Sequence, residues 1–307
     1  MFEKELIEYI KDNRSIRESS LKVYIGNVRK LNDNKPLTNL NFLRKTEQIL
    51  NKIKDMKVPT QRNYLSSILV ILTNQKKYKT TLEKYKERLR LLNDEYNKRI
   101  ETHEKTEKEQ NNWITLKELR KKVLLPYKRE ITERELNKKS SLKSKEFDLY
   151  QRFVVSALYL LLPAVRLDYA PMSVVSSRDD MDNKKNYLLN LSRNTKYFYL
   201  NDFKTSDKHG QIEIRVPKEL NTILNGWLKF NDSGYLLLNK VNSPMSANIL
   251  GKYITKSFLP SGKNITLNLL RKIWITENID LDAIKRRKQL AQTMGHTVNM
   301  QETYIKE

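Results

Sequence analysis

The sequence predicts two domains: an all-α helical bundle in residues 1–105, then a mixed α+β, mainly helical domain in residues 106–307 with a small antiparallel sheet. A chain of 307 residues suffices for two domains of ordinary size, each with its own core. Apolar residues recur at helical spacing through residues 2–100, whereas three short runs typical of β-strands lie between Tyr187 and Val216. A charged segment without apolar periodicity, Lys98 to Asn112, separates the two patterns and sets the predicted boundary.

The first domain is predicted to contain four or five short helices. Each apolar series repeats at the three- and four-residue spacing of an amphipathic helix, and Pro59 stands at the start of the fourth. The series cover Phe2 to Ile10, Leu21 to Leu31, Leu43 to Ile53, Tyr64 to Leu72 and Leu82 to Tyr96.

The charge of the chain predicts a polyanionic partner. Lys and Arg number 59 and Asp and Glu number 36, which gives a formal net charge of +23. Such an excess favours nucleic acid over a membrane surface.

Other residue counts exclude several classes of site. The chain has no cysteine, so disulfides, thiolate metal sites and cysteine nucleophiles are excluded. Its three histidines make a zinc site improbable, and we expect no metal or cofactor. No apolar run reaches the length of a membrane span, and the acidic, amphipathic N-terminus is unlike a signal peptide. We therefore expect an intracellular protein that does not interact with a membrane.

The second domain begins with clear helix signals. Thr115 and Glu118 form a capping box, and a strongly apolar helix runs from Phe147 to Leu161 until Pro163 ends it. Arg166 follows directly, an unusual place for a charge, although an arginine at a helix end can also simply face solvent.

Three β-type runs follow: Tyr187 to Leu191, Lys196 to Phe203 and Ile212 to Val216. Lys204 lies at the end of the middle run, beside the turn that contains Lys208.

The remainder of the domain is predicted to be helical. Asn268 and Arg271 share one helix face because they are three positions apart. A last helix leads to Gly295 and His296, and Tyr304 stands close to the C-terminus.

The order Arg166, Lys204, Arg271, His296, Tyr304, each in its local setting, resembles the catalytic domain of the tyrosine recombinases. The segments SSLKVYIGNVRKL and PTQRNYLSSILVIL resemble the two DNA-facing helices of the core-binding domain that precedes it in that family. The similarity covers both domains. It implies the DNA breaking-rejoining fold for the second domain and a DNA-clamping role for the first.

Several positions depart from the family pattern. The first arginine of the family lies in Gly-x-Arg-x-x-Glu, whereas this chain has Ala164 and Tyr169 at the outer positions and Asp168 one residue before the usual acid. Asn268 replaces the usual histidine three residues before the second arginine; type IB topoisomerases also lack histidine there. The motif Arg-Leu-Asp-Tyr, which begins at Arg166, most resembles the corresponding motif in integrases of virophages and of related mobile elements of large DNA viruses.

The resemblance implies a site-specific recombinase or integrase that cuts and rejoins DNA through a 3′-phosphotyrosine, without metal or ATP. Tyr304 would be the nucleophile, Arg166 and Arg271 the phosphate ligands, and His296 a donor or proton acceptor. Lys204 would protonate the leaving oxygen, with Lys208 as the alternative. Asp168 and Asn268 would support the site.

The resemblance also implies partners. The expected partners are a double-stranded recombination site and further copies of the chain, as a tetramer on two duplexes, in whichever compartment holds that DNA. In the first domain Ser20, Lys22, Gln61 and Arg62 are candidate phosphate contacts, although each can equally belong to a solvated helix face.

Two other functions remain open at this point. A type IB topoisomerase would use the same residues to relax DNA, and a decayed recombinase would bind DNA without cutting it.

Overall fold

The computed structural model describes residues 2–306 and divides the chain into two compact units, Met1–Lys105 and Thr106–Glu307. Each unit has its own apolar core. Within residues 2–306, none of the helices combines the length and the apolar character that crossing a membrane requires.

The first unit is a bundle of α-helices, as its periodicity predicts. Its core is formed by the repeated apolar residues, among them Val28, Leu65 and Ile68, which are fully buried. Tyr85 is also buried and donates its hydroxyl to the carbonyl oxygen of Leu43 at 2.8 Å. The α-helices are α1 Phe2–Asn13, α2 Glu18–Leu31, α3 Thr46–Ile53, α4 Val58–Leu72 and α5 Lys79–Glu101.

The segment predicted as a linker is partly helical. Helix α5 extends to Glu101, and a second helix, α6 (Glu107–Asn112), begins at a capping box formed by Thr106 and Glu109. The sequence pattern did not predict α6, because this helix buries none of its residues and therefore has no apolar face.

The second unit is built around one long apolar helix, α9. Helices α8, α11 and α12 pack against it, and ten of its residues are buried. The predicted capping box of Thr115 and Glu118 is present at the start of α7. The α-helices here are α7 Leu116–Leu119, α8 Leu125–Glu133, α9 Ser144–Leu161, α10 Ser206–His209, α11 Lys218–Leu228, α12 Ala247–Ser257, α13 Leu267–Asn278, α14 Leu281–Thr293 and α15 Val298–Tyr304; a π-helical turn, Arg120–Leu124, joins α7 to α8.

The sheet has four strands in the order β1 Met172–Val175, β2 Asn186–Asn190, β3 Lys196–Leu200 and β4 Ile212–Arg215. Strands β2, β3 and β4 are antiparallel as predicted, but β1 pairs with β2 in parallel, so the expected wholly antiparallel sheet is wrong. The short apolar run of β1 has no alternation that would reveal it, and the ten residues 176–185 let the chain cross back to a parallel strand.

Lys196, at the start of β3, is the one buried lysine among residues 2–306. Its side chain is only 1% exposed, and its Nζ atom lies 2.6 Å from Asn225 Oδ1 and 3.0 Å from Asn221 Oδ1. It also reaches the carbonyl oxygens of Ser192 and Arg193 in the β2–β3 turn. Burial lowers the pKa of this lysine, and the acceptors of its hydrogen bonds within residues 2–306 are amide and carbonyl oxygens. Lys196 therefore fixes the turn to helix α11.

We predict that Lys196→Met destabilises the protein by about 1–3 kcal/mol, because the oxygens around Nζ lose their donor in a buried site. Lys240→Met, at an exposed position, is the matched control and should change the free energy of unfolding by less than about 0.5 kcal/mol. Urea unfolding followed by circular dichroism measures both. Equal stability of the two variants would contradict a structural role for Lys196.

Candidate active site

Arg166 lies on an exposed turn that the end of α9 positions. Leu162 is extended, as expected for the residue before Pro163, and the helix ends at Leu161. Tyr159, in the last turn of α9, is fully buried and donates its hydroxyl to the carbonyl oxygen of Arg166 at 2.7 Å. The backbone of Arg166 is thus fixed to the core while its side chain is exposed.

Asp168 holds the other side of the same backbone. Its Oδ2 accepts the backbone N–H of Arg166 at 3.0 Å. Burial raises the pKa of the Asp168 carboxyl, while the hydrogen bond from Arg166 and the charges of Arg166 and Arg271 act to lower it. The carboxylate is therefore partly desolvated and lies near two arginines.

The neighbouring Tyr169 occupies the position where the recombinase pattern has an acid. Its side chain is fully buried and packs edge-on against Tyr159, with ring centroids 5.5 Å apart, and against Phe198, at 5.2 Å. An aromatic core residue thus fills this position, and the acid that contacts the Arg166 turn is Asp168.

Arg271 reaches the same turn from α13. Thr266 caps this helix by accepting the backbone N–H of Leu269, and Arg271 donates from its guanidinium to the carbonyl oxygen of Ala164 at 3.2 Å. Burial lowers the pKa of Arg271; the charge of Arg166 lowers it further, and Asp168 opposes both effects. The structure therefore brings Arg166, Asp168 and Arg271 together, as a group we call the arginine site.

Asn268 is exposed and lines a cleft of the second unit together with Arg271. Helix α6 forms the facing wall, to which it contributes Lys108 and Asn112. On the same wall Glu109 forms an ion pair with Lys272 of α13. The exposed amide of Asn268 can donate a hydrogen bond to an anion there but cannot carry a charge.

Lys204 is exposed in the turn after β3. Strand β3 ends at Leu200, not at Phe203 as predicted, and the predicted turn that contains Lys208 forms the short helix α10. This turn lies near the arginine site, because one buried side chain, Asn186, donates to the carbonyl oxygens of Asp168 and Asp202, each at 2.9 Å.

His296 is placed by the end of α14. Gly295, with φ of 71°, donates to the carbonyl oxygen of Gln292, and the backbone N–H of His296 donates to that of Ala291. This is the Schellman arrangement, which requires a left-handed residue where the sequence has glycine.

Tyr304 ends α15, is 64% exposed and stacks obliquely on His296, with ring centroids 5.8 Å apart. The Nδ1 atom of His296 lies 3.2 Å from the carbonyl oxygen of Thr297, which can only accept a hydrogen bond, so this contact places a proton on Nδ1. The Nε2 atom is buried without a hydrogen-bond partner among the described residues.

The predicted catalytic residues thus form two groups in the structure. One is the arginine site with the Lys204 turn beside it; the other is His296 with Tyr304. No hydrogen bond, ion pair or ring contact within residues 2–306 joins Tyr304 to Arg166 or Arg271.

The four DNA-contact candidates of the first unit differ in placement. Lys22 is exposed, and Ser20 lines a cleft together with Arg14. The guanidinium of Arg62 stacks on Tyr96, with 4.0 Å between its central carbon and the ring centroid, and donates to Asn93.

Gln61 is only 5% exposed, and its amide donates to the carbonyl oxygens of Lys54 and Met56. The prediction of Gln61 as an exposed phosphate contact is therefore wrong, because its amide holds the turn before α4.

Sequence reasoning missed Tyr159 and Asn186, which position the candidate residues. Tyr159 is one apolar-face residue among many in α9, and Asn186 begins a strand after two lysines. Neither has a spacing or motif that distinguishes it, so only the three-dimensional contacts identify them.

We predict that Asp168→Ala lowers the free energy of unfolding by about 1–3 kcal/mol, since the Arg166 N–H loses its acceptor and the arginines lose their carboxylate. Asp168→Asn, which keeps an acceptor, should cost less. Because the pKa of Asp168 is raised in the fold, ionisation weakens the wild type as pH rises through that pKa; the deficit of Asp168→Asn should therefore shrink.

Urea titrations at several pH values measure both effects, with the exposed Asp232→Ala as control. A constant deficit for Asp168→Asn across pH would contradict the assigned environment of the carboxyl.

Comparisons with known proteins give a distant structural similarity. No family model and no curated protein matches the chain. Among solved structures, the chain is similar to the crystal structure of XerA recombinase over 99% of this chain and 93% of that chain, with 12% identity and a TM-score of 0.32.

Proposed function

We propose that this chain is a site-specific DNA recombinase that cuts and rejoins strands through a covalent bond between DNA and Tyr304. The observation that carries the proposal is the arginine site, where the charges of Arg166 and Arg271 lie near the partly buried carboxylate of Asp168, which accepts the backbone N–H of Arg166. Placing like charges together in a partly desolvated position is unfavourable unless an anion completes the site. A phosphodiester is the anion that suits two planar, multiple donors.

The proposed chemistry uses residues from both groups. The Tyr304 oxygen attacks phosphorus as the bond from phosphorus to the 5′-oxygen breaks, leaving a 3′-phosphotyrosine and a free 5′-hydroxyl. The phenolic proton passes to Nε2 of His296, which the protonated Nδ1 leaves free to accept it. Lys204 gives a proton to the departing 5′-oxygen. Arg166, Arg271 and the amide of Asn268 donate to the non-bridging oxygens, where negative charge develops.

Rejoining is the reverse reaction with another 5′-hydroxyl. If that hydroxyl belongs to a second duplex, the product is recombinant DNA, and two duplexes require several copies of the chain, which we propose to be four. The biological setting that we propose is integration or excision of a mobile or viral element. The net charge of +23 favours the polyanionic partner that this role needs.

We predict that the wild type forms a covalent adduct with a nicked duplex, visible as a slow band on a denaturing gel, and that Tyr304→Phe forms none. The nick lets the short 5′ fragment diffuse away and traps the adduct. Duplexes from the ends of the encoding element, and a random-sequence pool, serve as substrates. Tyr235→Phe, which removes another exposed hydroxyl, should behave like the wild type.

The outcomes separate the alternatives. An adduct that persists in Tyr304→Phe would assign the nucleophile elsewhere. DNA binding without any adduct from the wild type would support a non-catalytic DNA-binding protein. An adduct combined with relaxation of supercoiled plasmid, but without joining of two duplexes, would support a topoisomerase.

We predict that Lys204→Ala lowers the rate of adduct formation by about 100- to 1000-fold, because one transition-state donor is lost. A duplex with sulfur in place of the bridging 5′-oxygen should restore that rate, since a thiolate leaves without a proton. Lys208→Ala, four positions away in α10, is the matched control and should be close to the wild type on both duplexes. The reverse pattern would assign the acid to Lys208.

A further inference from the structure

Asn186, the first residue of β2, connects two turns that carry candidate catalytic residues. It is 6% exposed, and its side-chain amide makes four hydrogen bonds to backbone. The Nδ2 atom donates to the carbonyl oxygens of Asp168 and Asp202, each at 2.9 Å. The Oδ1 atom accepts the N–H groups of Asn201 at 2.9 Å and Asp202 at 2.8 Å.

Each of the two turns continues directly into a candidate residue. Asp168 is two residues after Arg166 and accepts its backbone N–H, whereas Asp202 is two residues before Lys204. Two residues span at most about 7 Å of chain, so a shift of either turn moves the attached candidate with it. The carboxylates of Asp168 and Asp202 are also close enough for Asp202 to raise the pKa of Asp168.

The Asn186 amide is the right group for this connection. It offers two donors and one acceptor oxygen with two lone pairs, and all four are used. Parallel pairing with β1 at Met172 fixes its backbone, so the side chain is held by the sheet and not by the turns alone. The Lys204 side chain itself is exposed, and neither a hydrogen bond nor an ion pair of its Nζ atom occurs within residues 2–306. Its turn is therefore what determines where the ammonium lies.

We propose that Asn186 is a positioning residue that sets the distance between the Lys204 ammonium and the phosphate bound by Arg166 and Arg271. This inference rests on the proposed function. In the step it governs, Lys204 transfers one proton to the 5′-oxygen while the bond from phosphorus to that oxygen breaks and the Tyr304 bond forms. Asn186 does not touch the DNA. It acts by holding the Lys204 turn at a fixed distance from the turn that contains Arg166.

The inference predicts that Asn186→Ala lowers the rate of adduct formation by about 10- to 100-fold, the loss expected from a small misplacement of a catalytic group. The affinity for duplex should change by less than about threefold, because neither turn loses its charged side chain. Asn186→Asp keeps the acceptor oxygen but loses both donors, and it places a third carboxylate near Asp168 and Asp202; its rate should be no higher than that of Asn186→Ala.

The deciding substrate is the duplex with sulfur at the bridging 5′ position. If Asn186 positions Lys204, sulfur restores the Asn186→Ala rate as it restores that of Lys204→Ala, and Lys204→Ala combined with Asn186→Ala is little slower than Lys204→Ala alone. Asn190→Ala, at the other end of β2, is the control and should match the wild type. Faster hydrogen exchange at the N–H groups of Asn201 and Asp202 in Asn186→Ala would confirm that the turn is released.

Two failures can be told apart. If the wild type forms an adduct but sulfur fails to restore Asn186→Ala, or if that variant matches the wild type, the positioning role is overturned while the recombinase proposal stands. If the wild type forms no adduct with any duplex, the proposed function falls, and the inference falls with it.

Discussion

The arginine site depends on the partly buried carboxylate of Asp168, which holds the backbone of Arg166 and lies near the charges of Arg166 and Arg271. Burial alone would favour the neutral acid and so raises its pKa, whereas the arginines and the Arg166 N–H favour the charged form. The surrounding contacts make this arrangement possible. Tyr159 fixes the Arg166 carbonyl, Arg271 reaches Ala164, and the sheet contributes Asn186. The result is a turn whose backbone is held by several hydrogen bonds and whose Arg166 side chain is exposed.

Much of this frame could be predicted from the sequence where a local rule dictates the structure. The apolar helix that ends before Pro163 necessarily delivers the next residues to a turn, and Arg166 lies on it. Gly295 predicts the end of α14 because the left-handed conformation there suits glycine. The next residue, His296, therefore lies outside the helix, where its ring contacts Tyr304. In both cases a single residue next to the helix end, proline or glycine, is sufficient to predict where the helix ends.

The sequence did not predict features that depend on which backbone or side-chain oxygens a polar group meets, or on the path of the chain between strands. Gln61 is of a type usually exposed, yet it is buried because its amide donates to the carbonyl oxygens of Lys54 and Met56 just before α4. Lys196 is likewise buried, because amide oxygens of α11 accept its hydrogen bonds. Strand β1 lacks alternation, and its parallel pairing depends on the path of the following residues. Asn186 is indistinguishable by sequence from any asparagine at a strand start. The periodicity of apolar residues predicts which face of a helix or strand is buried. It does not predict which backbone atoms accept hydrogen bonds from a polar side chain or donate hydrogen bonds to it.

The separation of the candidate residues into two groups has a physical basis. The arginine site is built on α9, α13 and the sheet, all of which contribute to the core. The proposed nucleophile, Tyr304, instead lies at the end of α15, and helices α14 and α15 bury only Ala291 and Gln301 among their residues. The two helices contact each other through local contacts such as the Arg287–Glu302 ion pair. A hairpin with so little buried surface can be repositioned at small cost in free energy. In the proposed reaction a phosphate bound by the two arginines brings the groups together, because its phosphorus must reach the Tyr304 oxygen for the reaction to begin.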